Sequence, residues 1–228
     1  MPYEVALEVA GPLAMFARPD TGGTPTSYTV PTWSACKGIF ECIAFFSSGN
    51  AWINPCKVEI CKRVGEAGGR INLQRYTTNY GGPLRKKNVM SAGLISGGSS
   101  MQLFATVLSD VCYRIYGQVE GPRRNSRINA RHHLQELFNR RLKRGQCAQT
   151  PALGWKEFTC SYWGPFREGL TEVDTAISLD VPSMLLGVWS RPTSGSYRPT
   201  FCQDVQVTNG VLHFELPANW RGADEGVN

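Results

Sequence analysis

Residues 121–145, GPRRNSRINARHHLQELFNRRLKRG, carry eight Arg or Lys against one acid, Glu136, yet their apolar residues recur at helical spacing. Ala130, Leu134, Leu137, Phe138 and Leu142 fall at i, i+4, i+7, i+8 and i+12, one apolar stripe. The spacing predicts a helix over 130–144 with Asn129 as its N-cap. Its stripe must lie on a core, and its remaining faces are cationic. Arg131, His132 and His133 then fall in the first turn, where backbone N–H groups favour an anion such as phosphate. Histidine is also the commonest general acid or base. A solvated basic helix would explain the same residues without any chemistry.

The charge is unevenly spread. Residues 62–90 hold seven bases (Lys62, Arg63, Arg70, Arg75, Arg85, Lys86, Lys87) and one acid, Glu66. With 121–145 they contribute fifteen bases and two acids, whereas the remainder is net −7, so the total of +6 conceals a polarised molecule. A cationic face of this kind suits nucleic acid, with binding that weakens steeply as salt rises. An anionic membrane fits less well, because no strongly amphipathic terminal helix is present.

Alternation in Tyr3–Val9 predicts a first strand, ended by Gly11-Pro12. A helix is expected from Thr32, its N-cap, to about Phe46, burying Cys36, Ile39, Phe40 and Ile43. A second strand is expected over Lys57–Val64. Residues 65–100, with eight glycines and with Tyr76 and Tyr80 among the bases, read as an extended hairpin or finger. Met101–Leu108 and Val111–Glu120 read as two strands around Ser109-Asp110. Further strands are expected at Trp155–Trp163, Ser183–Trp189, Phe201–Val207 and Val211–Leu216, with Asn209-Gly210 as a type I′ turn. The order approximates βαββαβ, an α+β plan of ferredoxin-like type, without a clear last strand.

The eight cysteines form no CxxC pair, and small buried hydrophobes are the expectation for them. His132 and His133 are adjacent on a helix, about 100° apart, which argues against a helical metal pair. MPYEVALEVAG lacks the pattern of a signal peptide, so a cytoplasmic protein is expected. Lys37 lies near Gly38, where a phosphate could approach, and equally four residues before Glu41, a helical ion-pair spacing. Gly145 and Gly154 mark either a helix stop and a turn or a close approach of backbone to a ligand.

Five stretches, taken in order, resemble a known family. Gly11, Ala14, Phe16 and Pro19 fit G-x-x-A-x-F-x-x-P. Pro31-Thr32, Ala35, Lys37-Gly38, Glu41 and Ile43 are similar to P-T-x-x-A-x-K-G-x-x-E-x-I. Leu108, Asp110, Val111 and Tyr113 follow L-x-D-V-x-Y. Asn129, Arg131 and His132 resemble N-x-K/R-H, and Leu153–Phe158 resembles L-G-x-R-E-F. Together, across about Val5–Leu216, they resemble the fifth family of CRISPR-associated proteins in its "d" form, from type I-C systems, within the RAMP superfamily.

The resemblance implies a ferredoxin-like (RRM-like) core over 1–145 with a basic β-hairpin thumb at about 65–100. A small C-terminal antiparallel β-sheet over 146–217 and a disordered tail over 218–228 would follow. It implies cleavage of precursor CRISPR RNA by 2′-OH attack, with neither metal nor cofactor. The product would stay bound by its 5′ handle in Cascade, beside backbone subunits of the seventh Cas family and the large subunit of the eighth, with target DNA near the PAM left open as a partner.

The family's catalytic set, a Tyr on the first helix and a Lys-His pair, maps onto Ala44 and onto Arg131 and His132. The alanine leaves two readings. In one, a nuclease takes its third group from His133, Tyr28, Tyr76 or nowhere; in the other, the subunit only binds and caps the 5′ handle. RNA contacts are expected from Lys37, Arg75, Tyr76, Arg85, Lys86, Lys87, Arg123, Arg124, Arg127, His133, Arg140, Arg141 and Arg144.

Overall fold

A computed structural model describes residues 3–46, 51–80, 101–121, 129–189 and 195–216. The elements are β1 (Glu4–Ala14), α1 (Trp33–Ile43), β2 (Trp52–Arg63), β3 (Asn72–Tyr80) and β4 (Met101–Glu120). After these come α2 (Ala130–Arg144), β5 (Tyr162–Gly164), β6 (Thr171–Val173), β7 (Leu179–Trp189), β8 (Tyr197–Thr208) and β9 (Val211–His213). One antiparallel sheet runs in the order β5-β1-β4-β2-β9-β8-β7, with β3 on β4 and β6 on β2.

Period-two alternation sends Val5, Leu7 and Val9 of β1 to the face covered by the helices. They join Ile39, Phe40 and Ile43 of α1 and Leu134, Phe138 and Leu142 of α2 in one buried cluster. Phe40 meets Phe138 at 5.5 Å between ring centres. The apolar stripe of the basic segment is therefore what seats α2. Its bounds and N-cap are as the sequence predicts, with the Asn129 side chain capping the start; Gly145, at φ 63, ends it.

The expected break at Ser109-Asp110 is not a break. β4 is one strand of 20 residues, and Asp110 passes through with φ 52, a conformation that Asp tolerates. Gly11-Pro12 likewise fails to end β1. The register pairs Gly11 with Val111 and Leu13 with Ser109, so Pro12, which has no N–H to give, stands opposite Asp110. The two irregular spots coincide, one pairing is skipped, and both strands continue. At this point β4 exchanges neighbours on its other edge, from β3 (to Ser109) to β2 (from Tyr113).

The strand expected over Trp155–Trp163 shrinks to β5. Residues 155–158 form a turn, closed by Phe158 N–H donating to Trp155 O at 3.0 Å and Leu153 N–H to Phe158 O at 2.8 Å. Gly154 sets it at φ 90; a Cβ there would lie 1.8 Å from Met15 O, so only glycine fits. Of the two readings for Gly145 and Gly154, helix stop and turn are what the fold uses.

Several expected boundaries move. The first helix ends at Ile43 rather than Phe46, and the second strand begins at Trp52, five residues early, with a bulge between Pro55 and Lys57. The last strand stops at His213. Asn209 (φ 51) and Gly210 (φ 76) supply the two positive φ angles of a type I′ turn between β8 and β9. All eight cysteines are free; Cys36 and Cys61 are buried as expected, but Cys147 is exposed and the rest are half-buried.

The face of β1 and β4 opposite the helices is polar and yet closed. Glu8 is fully buried there; it accepts from Arg167 Nε at 2.5 Å, Thr171 Oγ1 at 2.7 Å and Arg114 Nε at 3.4 Å. Arg114 also donates to Thr171 O at 2.8 Å and lies over the Phe166 ring. Burial pushes the Glu8 carboxyl up, but the hydrogen bonds from Thr171 and Arg167 together hold it below its usual value. This network clamps residues 166–171 onto the sheet.

Candidate functional site

The first turn of α2 holds half-buried Arg131 and the exposed His132 and His133. Asn129 Oδ1 accepts from the N–H groups of Arg131 (3.2 Å) and His132 (3.5 Å), which fixes the first turn. The other end of the same amide, Nδ2, donates to the Tyr3 hydroxyl at 2.7 Å. Arg131 folds its guanidinium over the Tyr3 ring, 4.9 Å from the centre. His132 is exposed, and His133, also exposed, meets Phe46 edge-on at 5.2 Å. Gln135 Nε2 donates to Glu4 O at 2.9 Å, tying the turn to the start of β1. A cation and a phenol thus stand together at the surface, with an imidazole on the next residue of the turn.

Farther along α2, Arg140 and Arg144 are exposed and share a face with His133, at i, i+7 and i+11. Arg141 is turned inward, where it donates to Ile43 O at 2.6 Å and joins α2 to the end of α1. On α1 the Lys37 ammonium is paired with Glu41. Ala44 is buried, and its N–H caps α1 by donating to Phe40 O.

The structure does not bring the described parts of the two basic runs close together. Tyr3 O accepts from Val119 N–H, so the α2 turn sits by the C-terminal end of β4. Arg75 lies opposite Thr106, thirteen residues back along that strand, or about 40 Å of extended chain. Arg75 is exposed there. Tyr76 instead packs on Phe158 and Trp155, at 5.0 and 6.5 Å. Arg85, Lys86, Lys87, Arg123, Arg124 and Arg127 lie outside the described residues, as does the tail over 218–228.

Of the phenols weighed as a third group, Tyr28 is buried and its oxygen accepts from Leu185 N–H at 3.0 Å. Tyr76 is at the far end of β4. Tyr3 is the phenol beside Arg131, and no sequence signal pointed to it: nothing in spacing links residue 3 to residues 129–131, and an aromatic before a strand reads as packing. A cleft of about 810 Å³ opens elsewhere, bounded by Arg63, Arg70, Asp110 and Arg167, and none of the predicted site residues lines it.

Sheet and helices together define a mixed α/β protein with a basic turn at the start of α2. A family model described as CRISPR-associated protein (Cas_Cas5), in its Cas5d form, matches residues 4–196. The chain belongs to this Cas5d family of CRISPR-associated proteins. It is 30% identical over 170 residues to a "CRISPR pre-crRNA endoribonuclease Cas5d" of Mannheimia succiniciproducens, covering 71% of this chain and 72% of that protein. A protein of the same name in Thermus thermophilus is 30% identical over 182 residues, covering 78% and 70%. Among solved structures, a CRISPR-associated protein superposes with a TM-score of 0.58 at 18% identity, covering 93% and 92%. A functionally uncharacterized protein of Streptococcus mutans gives the same TM-score at 16% identity, also covering 93% and 92%. These two likenesses show a shared fold. No helix among the described residues is long and apolar enough to cross a membrane.

Proposed function

We propose that this protein cuts precursor CRISPR RNA within each repeat by metal-independent 2′-OH attack and then holds the 5′ handle of the product within a Cascade complex. The observation that carries this reading is the pairing of half-buried Arg131 with exposed His132, their backbone fixed by the Asn129 cap, in a chain whose two curated relatives are named pre-crRNA endoribonucleases. His132 removes the 2′-OH proton, and Arg131 neutralises charge on the pentacoordinate phosphorane. Arginine suits the second role through its planar fork of donors and cannot readily give up a proton. Arg140, Arg144 and His133 offer one exposed face of α2 to the backbone of the repeat.

The core is read as ferredoxin-like, because β5-β1-β4-β2 is the strand order of that plan, with α1 and α2 as its crossovers. The β3–β4 hairpin is read as the thumb. A second reading, a subunit that binds and caps the handle without cutting, is favoured by Ala44, which places no reactive group at the end of α1.

The test is repeat RNA incubated with the protein in EDTA, beside a substrate carrying 2′-deoxyribose at the cleaved nucleotide. Expected are a 2′,3′-cyclic phosphate, a 5′-hydroxyl and no cutting of the deoxy substrate. Loss of cutting in EDTA, or cutting of the deoxy substrate, rules this chemistry out. Tight binding without cutting establishes the second reading.

A further inference from the structure

We infer that Tyr3 is the proton donor to the leaving 5′ oxygen, a catalytic residue brought to α2 from the other end of the domain. The inference rests on the nuclease reading above and supplies the acid that Arg131 cannot be.

Three features of the Tyr3 phenol carry it. Its oxygen accepts from Asn129 Nδ2 at 2.7 Å. The Asn129 amide is oriented by two backbone donors on its oxygen, Arg131 N–H and His132 N–H, so its nitrogen can only donate toward Tyr3. The phenolic hydrogen is therefore not used on Asn129, meets no acceptor among the described residues, and is open to one that arrives with the substrate.

Arg131 stands 4.9 Å over the ring, so the phenol is held beside the cation assigned to the phosphorane. The backbone adds a third feature: Tyr3 has φ 73, uncommon for a residue with a side chain, and is held there by Val119 N–H donating to its carbonyl at 2.9 Å. Packing against the core accounts for the ring but not for this hydroxyl geometry. Tyr116 donates to Glu59 at 2.8 Å and Tyr162 to Pro165 O at 2.5 Å, so those phenol hydrogens are spent within the protein.

The step balances. His132 takes the 2′-OH proton as the 2′-oxygen forms its bond to phosphorus. The bond from phosphorus to the 5′-oxygen then breaks, and the Tyr3 hydrogen goes to that oxygen. The products are a 2′,3′-cyclic phosphate, a 5′-hydroxyl, a phenolate at Tyr3 and an imidazolium at His132. Proton exchange with water restores both side chains. A phenol is a much stronger acid than the alcohol it generates, so the transfer runs downhill.

The experiment uses repeat RNA with either the ordinary 5′-oxygen or a bridging 5′-sulfur at the scissile bond. A thiolate leaves without needing a proton. Tyr3→Phe keeps the ring under Arg131 and removes the hydroxyl. On the oxygen substrate it is expected to cut about 10²–10⁴-fold more slowly than wild type in single turnover. On the sulfur substrate the deficit should shrink to within about tenfold. His132→Ala should stay slow on both, since its deficit is at the 2′-OH. Affinity for uncut repeat RNA and the circular dichroism of Tyr3→Phe should match wild type. Wild-type rates in Tyr3→Phe on the oxygen substrate overturn the inference, and so does an equal deficit on both substrates, which marks a structural hydroxyl. If His132→Ala is dead while Tyr3→Phe is unimpaired, the nuclease reading survives and only the role of Tyr3 fails. If wild type binds repeat RNA without cutting, both fall together.

Discussion

Two polar clusters flank the same strands and are built in opposite ways. At the start of α2, Arg131 and His132 stand at the surface with Tyr3 and Asn129, joined by a cation over a ring and by hydrogen bonds of the Asn129 amide. Across the sheet, Glu8 is fully buried, with Arg167, Arg114 and Thr171 directed at its two carboxylate oxygens. The first cluster pairs its cation with a ring and carries no carboxylate. The second has spent its charges on one another and on fastening residues 166–171. A dense local run of charge marked the cluster that is open to a ligand, whereas the charges that hold the fold together are scattered singly along the chain.

Glu8→Ala is the strongest way to break this contrast. It leaves two guanidinium groups facing a buried hole and should cost about 3–5 kcal/mol in urea unfolding. A loss comparable to that of an exposed residue would show that the network is not structural. The same network gives an acid signature. The folded carboxyl of Glu8 lies below its ordinary value of 4.5, so its contribution is fully present above that pH and is lost as pH falls through the depressed folded value. Wild type should therefore exceed Glu8→Gln in stability at neutral pH, with the gap closing in acid. A gap that widens in acid reverses the sign and refutes the assignment.

Asn129 sharpens the contrast from the other side. Asn129→Ala should cost about 1 kcal/mol as a lost helix cap. Asn129→Asp keeps an oxygen for the cap but loses the donor to Tyr3, so stability should hold while repeat cleavage falls. Equal cleavage in Asp and Asn would detach the cap from the chemistry. The smallest effects are expected at Arg140→Ala and Arg144→Ala. Stability should change by less than about 0.5 kcal/mol. Repeat-RNA affinity should fall, and the slope of log affinity against log salt should flatten by about 0.7 for each phosphate left without its arginine. An unchanged slope would mean that these arginines only solvate the helix.

How much could be read beforehand differs between elements for physical reasons. The α2 limits, its buried stripe and its N-cap were legible, because helix periodicity and capping are local. The Asn209-Gly210 turn was legible for the same reason. Gly11-Pro12 and Ser109-Asp110 misled, since each is a breaker alone and harmless only when paired across the ladder. Trp155–Trp163 has the composition of a strand, but the close approach of Gly154 to Met15 O bends it into a turn. Within the candidate site, the place of Arg131, His132 and His133 in the first turn of α2 was legible from charge and spacing. The pairing of Arg141 with Ile43 O depended on where that side chain turns, whereas the Lys37–Glu41 pair was one of the two readings that its spacing offered.

By itself the sequence determined the cationic helix, its seat on the core and the family to which the chain belongs, because these follow from short-range periodicity and from ordered motifs. Only the tertiary structure decided that residue 3 meets residues 129–131, that Pro12 falls opposite Asp110 and that Glu8 meets Arg167. The partners in these pairs are roughly 100 or more residues apart, and their approach follows from strand register and helix seating, which no local pattern encodes.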